Sequence, residues 1–528
     1  MGYTDKADGT EIGVHMTERE LAPHDPLRLY AALERKLGRS DAFLFESLAG
    51  PDEGRRWAVV GHGRLAEVRV FAGRVDIDGA AALCEALAAA AGAAGMAPGP
   101  SGGRSEQARP SEQTLPSSWA FQRPEQIWEL LRRAQEMFAV TGDVPGGGDA
   151  YAFGFLACLG YEAAWHMDEL PARDGERDGP DMTFTLYRDT VWYDRATGRA
   201  RLLTARSEAF PAPYPYRAEP DVAALAAEAA EAEAAATRRD VGGCPPAPAP
   251  RAVRDSVARE TFLGWARRCL EHIRVGDIYQ IQIGHRMDVE TALTPVEVYR
   301  RLRHRNPSPY MYLAPRAGDT LIGASPELFF RTEGGTLAMR PIAGTTRLTA
   351  SEEENQLRVK EMLASTKEQA EHVMLVDLCR NDIGRVCEPG SLVVDDLMTV
   401  EAYSHVFHMV STVTGRLEPD ADVWRALCAT FPAGTMTGAP KLRAMEIIDG
   451  LERERRGMYA GAVGLIDVRG WSELALCIRT VVRDGRTGTY STQSSAGIVA
   501  ESTPEAEWNE TLAKMGAAYW ALTGEELA

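Results

Sequence analysis

The sequence predicts an α+β protein. Strand-like segments, among them RWAVVGH, EVRVFA, TFTLYRDTVWYD and RARLLTA, alternate with polar turns in the first half of the chain. The second half mixes strand-like segments with amphipathic helices. Strands and helices do not alternate in the regular order that builds a parallel sheet, and the sequence has no internal repeat. These observations favour an α+β fold over a parallel α/β fold.

Shifts in composition divide the chain into regions. We expect an N-terminal tail at residues 1–20 and a strand-rich first region at residues 21–220. Residues 89–116 run from an Ala-rich helix end into GMAPGPSGGRSEQARPSEQ, which predicts a flexible surface insertion. Residues 221–252 run from an Ala/Glu helix into GGCPPAPAPR, whose prolines cannot continue a helix, and predict a linker. The second region then covers residues 253–522.

Composition excludes several functional classes. The chain has 528 residues and a formal charge of -18, which argues against a surface for nucleic acid or anionic membranes. The start, MGYTDKADGTEIG, lacks the apolar core of a signal peptide, and no apolar run is long enough to span a membrane. The eight cysteines are scattered without a Cys-x-x-Cys pair, as expected of reduced thiols. We therefore expect a cytoplasmic protein without nucleic-acid or membrane partners.

Two distant segments, STKEQAEHVMLVDL and STPEAEWNETLAKM, each predict a helix with Glu-x-x-Glu on one face. The pairs are Glu368 with Glu371 and Glu507 with Glu510, because residues three apart on a helix project the same way. Lys514 falls on the face of the second pair. Carboxylates suit a hard cation such as Mg²⁺, which an anionic substrate usually completes. The alternatives are solvated helix faces or, for Glu368, a capping box with the serine three residues earlier.

Longer segments carry a resemblance to a known family. From residue 276 onward they include GDIYQIQIGHRM, NPSPYMYL, GASPELFFR, RPIAGTTR, YSHVFHMVS, FPAGTMTGAPKLRAMEIIDGLE, GMYAGAVGLID, CIRTVV and AGIVAESTPEAEWNETLAK. In this order they resemble the chorismate-utilising enzymes, and most closely the large synthase subunit, component I, of anthranilate synthase. The resemblance is strong over residues 255–520. Weaker matches at FLFESLAG, GYEAAW and FTLYRDTVWYD extend it into the first half.

The resemblance implies a fold of two large antiparallel β-sheets packed together, with helices outside and the active site between the sheets. Residues 253–522 would form the chorismate-binding catalytic region, and residues 21–220 the component I-like regulatory region. The implied reaction is Mg²⁺-dependent amination of chorismate by ammonia at C2, followed by elimination of pyruvate to give anthranilate. No cysteine lies in a recognisable glutaminase nucleophile turn. Ammonia is therefore expected from a separate glutamine amidotransferase subunit or from the medium.

Two positions bear on the attacking nucleophile. Relatives that add water have a lysine as general base where this chain has Gln280, and an amide cannot take a proton from water. Aminodeoxychorismate synthases have a lysine in the Pro-Ile-x-Gly-Thr segment, where this chain has Ala343. Unprotonated ammonia is itself a nucleophile and needs no general base. Both residues favour an ammonia-using enzyme of the anthranilate synthase type.

The resemblance also assigns roles to individual residues. Glu327 in GASPE would be the general acid that protonates the departing C4 hydroxyl, a task that favours a buried carboxyl with a raised pKa. His408 matches the histidine associated with pyruvate elimination. Glu371 and Glu510 would bind Mg²⁺ directly, and the other glutamate of each pair would hold its waters. The implied substrate contacts are Gly344, Thr345, Thr435, Tyr459, Arg479, Ser495, Ala496, Gly497 and Lys514.

Several positions depart from the anthranilate synthase pattern. Gln-Ala-Gly-Ala-Gly has become Gln-Ser-Ser-Ala-Gly with Ser495, Tyr-Gly-Gly contains Ala460, and a usual glutamine is His285. We expect Ser495 to tune chorismate affinity. Such changes are consistent with a secondary-metabolism enzyme, so the second-ranked hypotheses are a 2-amino-2-deoxyisochorismate synthase and an aminodeoxychorismate synthase component I. A degenerate tryptophan-binding regulatory subunit is the alternative of another class, and the intact acid, histidine and metal carboxylates argue against it.

Two segments, FLFES and NPSPYM, resemble the family's feedback pocket for L-tryptophan. Glu46 would pair with the amino group of the ligand, Pro309 and Met311 would supply apolar wall, and Ser47 and Tyr310 belong to the same segments. The alternative is that these are hairpin and interface residues. The sequence leaves open the identity of the glutaminase partner and whether the chain forms a homo- or hetero-oligomer.

Overall fold

The computed structural model describes residues 11–50, 57–99, 117–144, 150–172, 179–211, 220–236 and 244–527. The α-helices in these ranges are α1 (Pro26–Leu37), α2 (Ala81–Ala93), α3 (Glu125–Glu136), α4 (Val222–Ala236), α5 (Arg259–Arg274), α6 (Pro295–Arg305), α7 (Glu352–Ala364), α8 (Thr366–Gly384), α9 (Val423–Thr430), α10 (Lys441–Leu451) and α11 (Pro504–Thr523). The strands are β1 (Ile12–Leu21), β2 (Ala42–Glu46), β3 (Trp57–Phe71), β4 (Arg74–Gly79), β5 (Ala97–Pro98), β6 (Ser117–Ala120), β7 (Phe138–Gly142), β8 (Gly154–Leu159), β9 (Met182–Asp194), β10 (Arg199–Arg206), β11 (Ala252–Asp255), β12 (Gln280–Glu290), β13 (Tyr310–Arg316), β14 (Asp319–Ser325), β15 (Leu328–Glu333), β16 (Thr336–Met339), β17 (Ile342–Arg347), β18 (Val393–Ala402), β19 (Val406–Arg416), β20 (Gly438–Ala439), β21 (Ala462–Asp467), β22 (Ser472–Leu476), β23 (Thr480–Arg483) and β24 (Tyr490–Ile498).

Local sequence signals set the helix ends. α11 begins at Pro504, whose fixed φ suits the first helical turn, and stops before Gly524, which has a φ of 79°. α6 begins with a capping box, in which the Thr294 hydroxyl accepts from the backbone N–H of Glu297 while the Glu297 carboxylate accepts from the backbone N–H of Thr294. These caps satisfy N–H groups that a helix start leaves unpaired.

The strands form one hydrogen-bonded network with two antiparallel arms. Both arms start at the long pair of β3 and β9. In the first arm β2, β13, β14, β23, β24 and β12 pair in that order. In the second arm β8, β21, β22, β15, β16 and β19 pair in that order, and β19 also pairs with β17 and β18. The antiparallel α+β architecture is confirmed.

Helices pack on the far end of each arm. On the first arm, α5, α10 and α11 pack against β12 through buried side chains that include Phe262, Ile283, Ile448 and Trp508. On the second arm, α8 lies against β17 and β19. The candidate site lies where these two ends meet.

The two predicted regions do not form separate sheets. β2 and β8 of the first region pair with β13 and β21 of the second. Helix α4, from the predicted linker 221–252, packs Val222, Leu225 and Ala226 into a core that both regions share. The proline-rich composition therefore marks a connection along the chain, and strand pairing joins the regions in space.

Two predicted boundaries in the first region need correction. Residues 12–20 of the expected tail belong to β1, where Ile12, Val14 and Met16 alternate into the core and the strand pairs with β7 and β10. The expected insertion at residues 89–116 begins too early, because α2 continues to Ala93 and β5 pairs with β6. Residues 100–116 lie outside the described ranges.

The eight cysteines carry free thiols. Among the residues that the structure describes, no helix has both the length and the apolar character needed to cross a membrane.

Candidate active site

Glu327 directly precedes β15, two residues after the end of β14, and is buried, with 7% of its surface exposed. Thr435, in the turn Gly434–Met436, donates a hydrogen bond from Oγ1 to Glu327 Oε1 at 3.1 Å. Burial raises the pKa of Glu327 to about 8, against the opposing effects of the Thr435 bond and the charges of Lys514 and Arg479. A carboxyl that keeps its proton near neutral pH is suited to act as a general acid.

His408 lies on β19 opposite Thr345 on β17, with its Nδ1 2.9 Å from Thr345 Oγ1. Burial and, less strongly, the positive charge of Arg479 lower the pKa of His408 to about 4, while a bond with the Gly344 backbone opposes them. Gly344 has a φ of +78°, and a Cβ there would come within 3.4 Å of Glu368. His408 is therefore neutral at physiological pH and able to accept a proton.

Arg479 connects these groups through its charge. It acts on both Glu327 and His408, while Tyr459 and Glu510 act on it. Burial lowers its pKa, and no hydrogen bond or ion pair joins its guanidinium to another residue in the described ranges. Its backbone has a φ of 51°, a strained conformation that is more common at functional positions.

The four glutamates lie on α8 and α11. The pKa of Glu371 is raised by burial and then by the charges of Glu368 and Glu510. Glu507 is buried, its pKa is raised by burial and by Glu510, and its Oε2 has no hydrogen-bond partner. Carboxylates of both helices thus lie within electrostatic range of one another.

Within the described ranges, no three acidic, histidine or cysteine side chains are grouped closely enough to enclose a metal ion. Ser365 caps α8 by accepting from the backbone N–H of Glu368 at 3.3 Å.

Gln280 joins the two arms at the first residue of β12. Its Nε2 donates to Glu371 Oε1 at 3.3 Å, and its own Oε1 is buried without a hydrogen-bond partner. Lys514 lies across β24, where its Nζ donates to Ser495 O at 3.0 Å and pairs with Glu510 Oε1 at 2.5 Å. These contacts place an amide and an ammonium group beside the carboxylates.

The predicted segment 495–497 lies on β24 and pairs with β12. Tyr459 Oη is 2.6 Å from Ser495 Oγ, which donates to Gln282 Oε1 at 2.9 Å. A Cβ at Gly497 would lie 3.0 Å from Gln282 Nε2 and 3.1 Å from Gln280 Nε2, so glycine leaves room for these two amides beside the strand. The structure therefore brings the predicted acid, histidine, arginine, tyrosine, carboxylates and strand floor together between the ends of the two arms.

Comparison with known proteins identifies this arrangement. The family described as chorismate binding enzyme matches residues 104–519. The 2-amino-4-deoxychorismate synthase of Streptomyces globisporus is 46% identical over 503 residues, which is 95% of each chain. Anthranilate synthase component 1 of Streptomyces coelicolor is 43% identical over 384 residues, covering 71% of this chain and 74% of the relative. This chain belongs to the chorismate binding enzyme family.

The fold agrees with a solved member of the family. Anthranilate synthase component I from Streptococcus pneumoniae superimposes with a TM-score of 0.61 at 27% identity, covering 89% of this chain and 93% of that structure. The chain is therefore a chorismate-utilising enzyme. Its family match begins well before residue 253, so the family sequence extends beyond the predicted catalytic region.

This chorismate-utilising enzyme also has a buried ion pair that the sequence analysis missed. Arg456 forms two hydrogen bonds to Glu452 and donates to the backbone oxygens of Met436 and Gln282. The guanidinium also lies 4.7 Å from the centre of the Tyr161 ring. The pair therefore ties the Thr435 turn to β12. The spacing of four residues between Glu452 and Arg456 in LERERRGMY is the sequence signal that could have predicted this ion pair.

The departure at His285 has a structural explanation. Its Nδ1 is 2.8 Å from Asp255 Oδ1, and its Nε2 is 2.8 Å from Thr511 Oγ1. Its ring stacks on Trp508 with centroids 4.4 Å apart. His285 thus ties β12 to α11, away from the reacting groups. Ala460 has a φ of 62°, a conformation that suits the glycine found there in relatives.

The predicted tryptophan residues lie elsewhere in the enzyme, at the pairing of β2 with β13. Glu46 is buried and already accepts from Tyr299 Oη at 2.7 Å and from Arg303 Nη2 at 2.8 Å. The cavity beside Glu46 and Met311 holds only about 10 Å³. A neighbouring cavity of about 550 Å³ is lined by Ser47, Trp57, Pro309, Tyr310, Arg331 and Arg340, among others, and includes none of the predicted substrate residues.

Proposed function

We propose that this enzyme aminates chorismate at C2 with ammonia in the presence of Mg²⁺, and that it releases a non-aromatic product which keeps the enolpyruvyl group. The observation that carries the proposal is the protonated acid Glu327, which has Arg479 and Lys514 as charged neighbours. In relatives that add water, a lysine activates the water molecule. This chain has Gln280 at the position of that lysine. The site thus has an acid for the leaving group and an amide in place of the lysine that activates water.

In the proposed step Glu327 donates its proton to the C4 hydroxyl, which leaves as water. The lone pair of ammonia forms the new bond to C2, and the two ring double bonds shift by one position. The electrons of the C4–O bond leave with the oxygen. The extra proton on nitrogen passes to the Glu327 carboxylate or to water, which restores the acid and balances the step.

Arg479 is the proposed anchor for a substrate carboxylate. A guanidinium binds a carboxylate through two parallel hydrogen bonds, and this half-buried one has no hydrogen-bond or ion-pair partner among the described residues. Lys514 adds a second positive charge beside β24. A dianionic ligand fits this distribution of charge.

Mg²⁺ is proposed to bind at Glu371 and Glu510, with Glu368 and Glu507 holding its waters. The fit rests on the burial and, less strongly, the neighbouring carboxylate charges that raise the pKa of Glu371 and Glu507, and on the buried Glu507 oxygen without a partner among the described residues. Mg²⁺ keeps several waters and uses one or two carboxylates together with a substrate anion, so it does not require a closed set of protein ligands. When bound, it would neutralise the ring carboxylate.

Gln280 is proposed to orient ammonia. Its Nε2 is held by Glu371, which leaves the buried Oε1 as an acceptor for an N–H of ammonia. The nitrogen lone pair then remains available for C2. The ammonia is proposed to come from a separate glutamine amidotransferase subunit, as is typical of the family.

The proposed product is 2-amino-4-deoxychorismate, the compound also called 2-amino-2-deoxyisochorismate. The full-length relative from Streptomyces globisporus has this compound in its name and matches 95% of both chains. Anthranilate is the second candidate, because the neutral His408 could take the C2 proton in pyruvate elimination. Ala343, in place of a lysine, disfavours an aminodeoxychorismate synthase component I that acts through a covalent lysine, and the protonated Glu327 disfavours a purely regulatory subunit.

Inhibition by L-tryptophan is a further proposal. The cavity of about 550 Å³ at Ser47, Pro309 and Tyr310 is large enough for an amino acid. Glu46 lines the adjoining small cavity, so contact with the ammonium group of the ligand would require it to release Arg303 and this cavity to widen. A rise in melting temperature with millimolar L-tryptophan, together with loss of turnover, is the expected result.

The proposed function is tested with the purified chain, chorismate, Mg²⁺ and ammonium, with products identified by mass. We expect chorismate consumption to require both Mg²⁺ and ammonium and to give an aminated product without isochorismate or salicylate. Omission of ammonium is the matched control. Production of salicylate, or use of glutamine by the isolated chain, would contradict the proposal.

A further inference from the structure

Three buried side chains form a hydrogen-bonded row along the floor of the proposed site. Tyr459 Oη lies 2.6 Å from Ser495 Oγ, and Ser495 Oγ lies 2.9 Å from Gln282 Oε1. Their exposed fractions are 7%, 1% and 8%. Ser495 stands where the anthranilate synthase pattern has glycine, and Gln282 lies on the neighbouring strand β12. The row therefore differs from the family pattern at the substrate floor.

The amide of Gln282 fixes the direction of the protons in this row. An amide oxygen only accepts hydrogen bonds, so the Ser495 hydroxyl donates its one proton to Gln282. Ser495 Oγ can then only accept from Tyr459. Burial raises the pKa of Tyr459 to about 12, so this hydroxyl has a proton to donate. The Tyr459 hydroxyl has consequently used its one proton. It can accept a hydrogen bond from the rest of the site but cannot donate one.

The main chain holds Gln282 in place for this role. Its backbone oxygen accepts from Arg456 Nη2 at 2.7 Å, and its backbone N–H donates to Thr437 O at 2.9 Å. Its Nε2 lies 3.0 Å from where a Cβ at Gly497 would be. The amide is thus fixed between the Arg456 pair and β24.

We propose that Gln282, acting through Ser495, is a specificity-determining residue that keeps the enolpyruvyl group on the aminated product. This inference rests on the proposed function, because it concerns what happens after C2 is aminated. Gln282 would act by positioning the proton of Tyr459, without contact with the reacting atoms.

The chemistry of pyruvate elimination explains why this proton matters. A base such as His408 takes the C2 proton, and the electrons of that bond complete the aromatic ring as the bond between C3 and the ether oxygen breaks. The oxygen leaves with the bonding pair as the enolate of pyruvate, which then takes a proton on carbon. Negative charge develops on the leaving group and needs hydrogen-bond donors. By resemblance Tyr459 and Arg479 contact the enolpyruvyl carboxylate, and in this row Tyr459 has no proton to offer.

Elimination can be measured separately from amination. Purified 2-amino-4-deoxychorismate is supplied to the enzyme and pyruvate release is followed. We expect Gln282→Met, which keeps the side-chain length, and Ser495→Gly to free the Tyr459 proton. Each should raise the rate of pyruvate release about tenfold or more, because hydrogen bonds to charged groups are the strong ones. The control Gln135→Met removes a glutamine whose bonds to Asp467 O and Val468 O lie outside the site.

A second substitution tests the route through Tyr459. Tyr459→Phe should abolish the gain in the Gln282→Met and Ser495→Gly backgrounds, as expected for coupled residues. A gain that persists without the Tyr459 hydroxyl, or unchanged release in both single variants, would overturn the inference. So would a parent enzyme that releases pyruvate as fast as it aminates chorismate. If Ser495→Gly does not fold, Gln282→Met carries the test alone. Failure of the parent to aminate chorismate would instead refute the proposed function.

Discussion

Replacing Glu327 with Gln tests the acid that the proposed reaction requires. Burial raises the pKa of Glu327 from 4.5 to about 8. The folded chain therefore holds this proton more tightly than the unfolded chain, so stability is greatest below the unfolded pKa and is lost as the pH rises through the folded pKa. Between about pH 5.5 and pH 8 the loss amounts to roughly 3 kcal/mol, since one pKa unit is worth about 1.4 kcal/mol. Glutamine cannot titrate, and this loss should be absent in Glu327→Gln.

Denaturant unfolding of both proteins across this pH range measures the effect, because other titrating groups cancel in the difference. Turnover gives a second readout: kcat/KM of the parent should fall above about pH 8, and Glu327→Gln should lose about 10²- to 10⁴-fold in turnover. Asp319→Asn is the matched control, because burial also raises the pKa of Asp319 at the opposite end of β14. It should keep parental turnover. A Glu327→Gln enzyme within tenfold of the parent, or a free-energy difference independent of pH, would refute the assignment.

Three further predictions concern the metal, the nucleophile and regulation. Glu371→Gln should abolish Mg²⁺-dependent turnover. It should leave the melting temperature unchanged or raised, because it removes a carboxylate that Glu368 and Glu510 repel. Turnover that survives EDTA would contradict the metal assignment. Gln280→Leu should raise the KM for ammonia by about fivefold or more while chorismate binding changes little, since it removes a single acceptor, and an unchanged KM would show that Gln280 does not contact ammonia. Millimolar L-tryptophan should raise the melting temperature, as any ligand that binds only the folded state does, and absence of a shift would assign Ser47 and its neighbours to structure.

Much of the fold could be predicted because the relevant signals are local. The alternating pattern and turn residues indicated strands such as RWAVVGH, and the Thr-Pro start of α11 set a helix end that the structure confirms. The expected tail was wrong because β1 is stabilised by pairing with β7 and β10, which are distant in sequence. The two regions share their sheets for the same reason, because strands that are distant in sequence pair with each other. Composition marked residues 221–252 but could not reveal which strands pair across them.

The candidate site, like the fold, could be predicted from the sequence only in part. The resemblance singled out Glu327, His408 and Arg479, and the structure places Arg479 within electrostatic range of both Glu327 and His408. Gln282 and Arg456 were missed, since their roles depend on contacts between segments that are distant in sequence. Ser495 was expected to tune affinity only. Its bonds to Tyr459 and Gln282 suggest control over the fate of the product, which a single sequence cannot express.

The central claim is amination of chorismate at C2 with retention of the enolpyruvyl group. It is tested most directly by incubating the enzyme with chorismate, Mg²⁺ and isotopically labelled ammonium, and by measuring product mass and pyruvate in the same sample. We predict a product that carries one labelled nitrogen and the intact enolpyruvyl group, with no pyruvate released. Labelled anthranilate with an equal amount of pyruvate would replace the proposed product with the second candidate. An unlabelled isomer of chorismate would contradict the account altogether.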